Sequence, residues 1–132
     1  MPLHMFTQAV VAGAAATALL GFVGVAGFGD FVDLSRLALG LGLVVHLVIV
    51  ASEIFTPHQT EDAEEAAARI TRGRFREAFW LGGMLVGIGL PLVAIAASGT
   101  AAVVAGGGVL ALAGLYAFEY CWITAPQTIS LA

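Results

Sequence analysis

The sequence predicts an all-α integral membrane protein: a four-helix bundle with a short charged helix between the second and third spans. Hydrophobic residues make up 60% of the 132 residues and charged residues only 11%, and the mean hydropathy is +0.98. The apolar residues fall into four runs of about 20, the length that crosses the hydrocarbon of a bilayer as a helix. Most of the charges lie in one stretch between the second and third runs.

The four expected spans cover residues 6–28, 34–55, 79–97 and 101–123, within one transmembrane domain of residues 1–132. The first span ends at an acidic turn with Asp30 and Asp33. The second and fourth end before Pro57 and Pro126, because proline lacks the amide hydrogen that a continuing helix needs. The N-terminal run has no basic n-region and is too long for a secretion signal, so we interpret it as a retained first span.

The third run contains two features that predict its shape. Gly83 and Gly87 form a GxxxG pair, a spacing that favours close helix packing in lipid. Pro91 leaves the carbonyl of Gly87 without its helical partner and is expected to bend the helix.

Composition excludes several classes of function. The net charge is −4, and all five basic residues are arginine, so no basic stripe exists for nucleic acid. The one cysteine, Cys121, forms no internal disulfide and holds no zinc or iron–sulfur cluster by itself. Electron transfer through a metal would therefore need haem or a partner subunit.

The charged stretch predicts a helix over about residues 60–72. Thr60 is placed to cap it, acidic residues crowd its first turn, and Glu65 and Arg69 form an i,i+4 pair. Gly73 suits the position just after the helix. A solvated surface helix is favoured over a binding element.

Arginine placement predicts the topology. Four of the five arginines lie in residues 56–78. The positive-inside rule therefore places this loop and both termini in the cytoplasm, in a multi-pass protein of the cell (inner) membrane.

Polar residues from different spans are expected to meet near the cytoplasmic surface. His46 and Glu53 are seven residues apart, which places them about 10 Å apart on nearly the same face of span two. The candidates for a proton path or quinone site are His46, Glu53, Glu119, Tyr120, Gln8 and Arg76, and His4 also starts span one.

Each of these features also has a plain structural interpretation. The two glutamates can pair with Arg74 or Arg76 at the interface, and His46 can be a packed, hydrogen-bonded histidine. Tyrosine and tryptophan side chains near span ends are typical of interfacial anchors. The pattern as a whole favours a proton path or the rim of a site for a lipid-soluble ligand with a polar head.

Three stretches resemble the NrfD-like family, the membrane subunits of polysulfide-reductase-type complexes: "ASEIFTPHQTEDAEEAAARITRG", "FWLGGMLVGIGLPLVAI" and "GLYAFEYCWITAPQTISLA". The last departs from the family's closing turn, with Pro126 in place of glycine. The resemblance covers about residues 45–132 and implies the C-terminal one of two four-helix bundles. It implies a membrane anchor that exchanges electrons with quinol through an iron–sulfur subunit, and in some members a proton pathway.

The leading hypothesis is a membrane subunit of a quinone-linked respiratory oxidoreductase complex, in the form of a split half of an NrfD-like subunit. It would be non-catalytic or quinone-reactive, with quinone alone or shared with a partner chain, and with no haem or iron–sulfur cluster of its own. The expected partners are the lipid bilayer, a second membrane subunit, an iron–sulfur subunit and a catalytic subunit. The alternatives are a haem b anchor like that of succinate-dehydrogenase-type enzymes, for which only His46 lies deep enough, and a purely structural assembly subunit.

Overall fold

The computed structural model describes residues 2–129, whose regular secondary structure is entirely helical, with no strand. The helices are α1 (Pro2–Phe22), α2 (Val32–Phe55), α3 (Glu61–Thr71), a π-helical segment (Ala78–Gly89), α4 (Leu90–Ala97) and α5 (Ala101–Gln127). Four stretches are long and apolar enough to cross a membrane: Pro2–Phe22, Gly29–Phe55, Ala78–Ala97 and Ala101–Gln127. The predicted all-α membrane fold is confirmed. Met1 and residues 130–132, which close the third family-like stretch, lie outside the described residues.

The first span is displaced toward the N-terminus from its expected position at residues 6–28. Helix α1 begins at Pro2, where a proline costs no helical hydrogen bond. It ends at Phe22 because the next turns use Gly24 (φ 81°) and Gly27 (φ 83°), a backbone conformation that side chains with a Cβ disfavour. This shift brings His4 inside the helix.

The third span changes its winding at Pro91. Ala78–Gly89 is π-helical, and the Leu90 amide closes its last wide turn on the Leu85 carbonyl. Helix α4 then starts at Leu90 with Pro91 in its first turn, the position at which a missing amide hydrogen is tolerated. The bend that was expected at Pro91 therefore takes the form of a π-helical turn followed by the start of a new α-helix.

Helix α5 continues past its expected end at residue 123. It runs through Pro126 to Gln127, and Thr128 closes it by donating its amide to the carbonyls of Ala125 and Pro126. The prediction that Pro126 stops the helix was wrong. A proline in the last turn removes only one intrahelical bond, and Thr128 is held from outside by Arg69.

Small residues bring the spans into backbone contact. Helix α5 packs against α1 on one side and against the third span on the other, while α2 packs mainly on α1. A Cβ built on Gly114 would lie 1.9 Å from the Cα of Gly87, and one on Gly108 would lie 3.0 Å from the Cα of Ala15. Gly87 of the expected GxxxG pair therefore lies at the closest helix crossing.

Helix α3 covers one end of the bundle. The Thr60 hydroxyl accepts from the Ala63 amide, as expected for an N-cap, and Arg69 pairs with Glu65. Arg69 Nη1 also donates to the carbonyl and hydroxyl of Thr128, at 2.5 and 2.7 Å. The buried face of α3 includes Ile70, which joins a core cluster with Phe75, Phe79 and Phe118.

At the opposite end, Arg36 ties the second span to the third. Its Nε donates to the carbonyl of Ile95 at 2.7 Å, near the C-terminus of α4, where a cation is favourable. Both described chain ends and α3 lie at one end of the bundle, and the acidic turn lies at the other.

Candidate functional site

Buried and half-buried polar side chains from three spans meet beneath α3. His4 and Gln8 are one turn apart on α1, and His46 and Glu53 are about two turns apart on α2. Glu119 comes from the later turns of α5. His4 and His46 are only 6% and 2% exposed, so their ring nitrogens depend on neighbouring side chains for hydrogen bonds.

His4 is the centre of this cluster. Its Nδ1 lies 3.4 Å from Glu53 Oε1, and its Nε2 lies 3.3 Å from Gln8 Nε2. Its ring centroid is 5.0 Å from that of His46, and the centroids of both rings lie 5.1 Å from that of Phe118. The sequence analysis placed His4 at the start of span one but did not include it among the candidates for the site.

The Gln8 amide determines which His4 nitrogen carries the proton. Gln8 Nε2 donates to Glu119 Oε1 at 2.5 Å and faces His4 Nε2. An amide NH₂ offers two donors and no acceptor. His4 Nε2 must therefore accept in this arrangement, and the proton of a neutral His4 lies on Nδ1, facing Glu53. If the Gln8 amide turns over, the tautomer of His4 reverses.

Two buried atoms of the cluster have no hydrogen-bond partner among residues 2–129: His46 Nδ1 and Glu53 Oε2. Buried polar atoms are normally satisfied, so these two atoms are free to bind an ordered water, an ion or a ligand group. The His4–Glu53 pair and these two atoms thus make a connected ionisable group inside a membrane span, the kind of feature that accompanies proton relays and ligand sites.

A cavity of about 610 Å³ adjoins the cluster. It lies between the end of α2, the inner face of α3 and the last turns of α5. Glu53 forms part of its wall, Trp122 and Ile70 line it with apolar surface, and His58 and Asp62 lie on its loop side. Ligand cavities in proteins typically measure about 300–1,000 Å³ and combine apolar walls with a few polar groups.

The predicted site residues divide into two groups. His46, Glu53, Gln8 and Glu119 lie together as expected. Arg76 is exposed and, among residues 2–129, pairs with neither glutamate; Glu53 pairs with His4 instead. Tyr120 is 47% exposed, and its ring contacts Phe75 at the surface of the bundle. Both were expected in the cluster, and both lie outside it because their side chains point away from the α1–α2–α5 junction.

The histidine pair bears on the haem alternative. His4 supplies the second deep histidine that the sequence prediction lacked, but the two rings are in contact and tilted by 41°. A porphyrin between them would have to displace Phe118, which is 1% exposed, so this packing does not fit haem. Within residues 2–129, no group of three His, Cys, Asp or Glu side chains is arranged to hold a metal ion.

Comparison with protein-family models, with curated proteins and with solved structures finds no match for this chain. The NrfD-like resemblance stays a prediction from the three sequence stretches.

Proposed function

We propose that this protein is a membrane-embedded subunit of a quinone-linked respiratory oxidoreductase complex, related to the NrfD-like family, and that it contributes a quinone pocket and a proton route. One observation carries the proposal: Glu53, which is half-buried and pairs with the buried His4, forms part of the wall of an apolar cavity of about 610 Å³ at the end of the bundle. A lipid-soluble ligand that exchanges protons needs both features together.

The cavity suits a quinone ring in size and chemistry. Oxidising a quinol releases two electrons and two protons, and in this proposal the electrons leave through an iron–sulfur subunit. The apolar walls would hold the ring and the first part of the tail, while Glu53 would accept a hydrogen bond from the ligand's hydroxyl. Such a polar anchor in an apolar pocket fixes the orientation of the ligand.

The residues of the cluster would then move the proton inward. Glu53 receives the proton at the cavity wall and exchanges it with His4, 3.4 Å away. Gln8 determines the direction of this exchange. With its NH₂ toward His4, His4 Nδ1 is a donor to Glu53. With the amide turned, His4 Nδ1 is free to accept from Glu53, and Glu119 must then carry a proton to donate to the Gln8 oxygen that faces it. Carboxyl and imidazole groups are the usual acid–base pair for this work.

The membrane topology of the proposed subunit follows from the distribution of its arginines, and its partners follow from the family resemblance. By the positive-inside rule, the arginines of residues 56–78 favour a cytoplasmic position for this loop and both termini. The proposed complex contains a second membrane subunit with the other four-helix bundle, an iron–sulfur subunit and a catalytic subunit.

Ligand binding can be tested with Trp122, which lines the cavity. The chain has two tryptophans, so Trp80→Phe leaves Trp122 as the only one. In reconstituted vesicles, a short-tailed benzoquinone should quench Trp122 saturably. A protonated Glu53 would donate to the quinone carbonyl. Glu53→Leu leaves no hydrogen-bonding group at this position and should weaken the quenching about tenfold, the effect of losing a hydrogen bond worth about 1.4 kcal/mol.

The control is Glu61→Leu, because Glu61 is exposed on α3 and is not part of the cavity wall. It should leave the quenching curve unchanged. Quenching that rises linearly with quinone and is not altered by Glu53→Leu would show only partition into the bilayer and would overturn the proposal.

A further inference from the structure

A second, separate recess lies on the other side of α3. It has a volume of about 580 Å³ and is enclosed by the end of α2, the following loop, the outer part of α3 and Trp80. Its charged residues are Glu64 and Arg72, and His58 is its other titratable group; the remaining wall from α2 and the third span is neutral. Neither Glu64 nor Arg72 has an ion-pair partner among residues 2–129.

An apolar groove lies next to this recess along the bundle. The groove lies between Leu47–Phe55 of α2 and Phe79–Met84 of the third span, and its lining is apolar and aromatic. Ile54, Phe55 and Trp80 line both spaces, so the groove lies next to the recess. This edge of the bundle, between α2 and the third span, is also the least tightly packed.

The recess lies at the depth of a lipid headgroup. Trp80 is half exposed at the start of the third span, where tryptophan is typical of the membrane–water interface. Its indole nitrogen donates to the carbonyl of Thr71 at 2.9 Å, which holds the ring against the end of α3. The apolar groove has a volume of about 70 Å³, which suits a few methylenes. A polar recess beside such a groove at this depth would fit one phospholipid, with its head in the recess, the first part of an acyl chain in the groove and the rest of the chain in the bilayer.

The two charged side chains of the recess determine which lipid headgroup would fit it. Arg72 provides guanidinium donors for a phosphate, which arginine can bind through two parallel hydrogen bonds. Glu64 provides a carboxylate eight residues earlier, about 12 Å away along α3. A purely anionic head would leave this carboxylate opposed to it, and a choline head has no N–H to donate to it. An ethanolamine head satisfies both groups.

We propose that this recess and groove form a binding site for one phospholipid with a phosphoethanolamine head, its phosphate on Arg72 and its ammonium on Glu64. The site is independent of the quinone proposal, because it uses neither the His4–Glu53 pair nor the larger cavity. The bound lipid fills the loosely packed edge between α2 and the third span and supports α3 from the side opposite to the 610 Å³ cavity.

The test uses Trp80 as the reporter. Trp122→Phe leaves Trp80 as the only tryptophan, and the full chain is reconstituted in vesicles in which one minor lipid carries brominated acyl chains, which quench tryptophan on contact. The brominated lipid is phosphatidylethanolamine, phosphatidylcholine or phosphatidylglycerol at the same low mole fraction. Brominated phosphatidylethanolamine should quench Trp80 at least about threefold more than either of the others.

Variants then separate the two contacts. Glu64→Gln should remove the preference for ethanolamine over choline, and Arg72→Gln should reduce quenching by all three lipids toward the level of random mixing. Glu61→Gln and Arg74→Gln are matched controls, because neither residue lines the recess, and they should change nothing. Equal quenching by the three lipids in the unmodified background, or a preference for phosphatidylglycerol, would overturn the proposal whether or not any variant folds.

Discussion

Gln8 shows how one neutral side chain controls the charged groups around it. Its single amide nitrogen faces both His4 Nε2 and Glu119 Oε1, so its orientation determines where each partner can hold a proton. Removing the amide would leave a buried imidazole nitrogen and a half-buried carboxylate without their donor. Each such loss costs about 1–3 kcal/mol in a protein interior.

Gln8→Met is therefore expected to lower the free energy of unfolding by about 2–4 kcal/mol, because it keeps the volume of the side chain and removes both donors. The measurement is denaturant-induced unfolding in detergent micelles. Gln127→Met is the control, since Gln127 is exposed and such surface changes stay within about 0.5 kcal/mol. Equal free energies of unfolding for the two variants would mean that the Gln8 hydrogen bonds do not stabilise the fold.

At the scale of the helices, backbone contact between α5 and the third span is the tightest feature of the fold. Gly114→Ala would place a methyl group 1.9 Å from the Cα of Gly87, and neither backbone can yield without separating the helices. We expect a loss of about 1–3 kcal/mol or more in the free energy of unfolding.

Gly106→Ala on the same helix is the matched control. A Cβ there meets nothing within 4 Å, and alanine is favoured over glycine in a helix by about 0.5–1 kcal/mol. The two substitutions should therefore change stability in opposite directions. A destabilising Gly106→Ala equal to Gly114→Ala would contradict the packing of α5.

The attachment of α3 depends on Arg69, which joins Glu65 on its own helix to Thr128 beyond α5. Arg69→Gln should loosen α3, because hydrogen bonds to a charged group contribute about 1.5–3 kcal/mol. Amide hydrogen exchange should become faster in residues 61–71 and stay unchanged in α1. Arg74→Gln, whose guanidinium lies over the Phe75 ring, should leave the exchange of α3 as it is.

At the scale of the whole molecule, the proposed topology places α3 in the cytoplasm. With Cys121→Ala removing the buried native thiol, Glu61→Cys tests α3 and Asp30→Cys tests the opposite end; both positions are exposed. In intact cells, an impermeant maleimide should label the Asp30→Cys variant, and it should label the Glu61→Cys variant only after the membrane is permeabilised. The reverse labelling pattern would invert the topology.

The spans were predictable because hydrophobic length alone identifies a membrane helix, and the α3 signals at Thr60, Glu65 and Arg69 are local in sequence. The site was predictable only in part. His46, Glu53, Gln8 and Glu119 were found as polar residues at a common depth. His4 was placed at the same depth but left out of the candidates, because hydropathy did not indicate that the helix starts at Pro2 and buries His4. Its one-turn spacing from Gln8 was the available signal.

Other features depend on tertiary contacts that no local pattern encodes. The pairing of Glu53 with His4, and not with Arg76, follows from the packing of α1 on α2. Helix α5 continues through Pro126, and Arg69 of α3 donates hydrogen bonds to Thr128 directly after the end of α5. The two cavities on either side of α3 exist only once that helix has folded back over the bundle.

The most direct test of the central claim is quinol-linked electron transfer in native membranes that contain Glu53→Gln. Glutamine keeps the shape and hydrogen-bonding capacity of the side chain and removes its exchangeable acid, so the chain should still assemble in normal amounts. If Glu53 exchanges protons with the ligand and His4, turnover and its coupled proton movement should fall by at least about tenfold, while Arg76→Gln should leave both unchanged. Unchanged turnover and proton movement in normally assembled Glu53→Gln membranes would contradict the account.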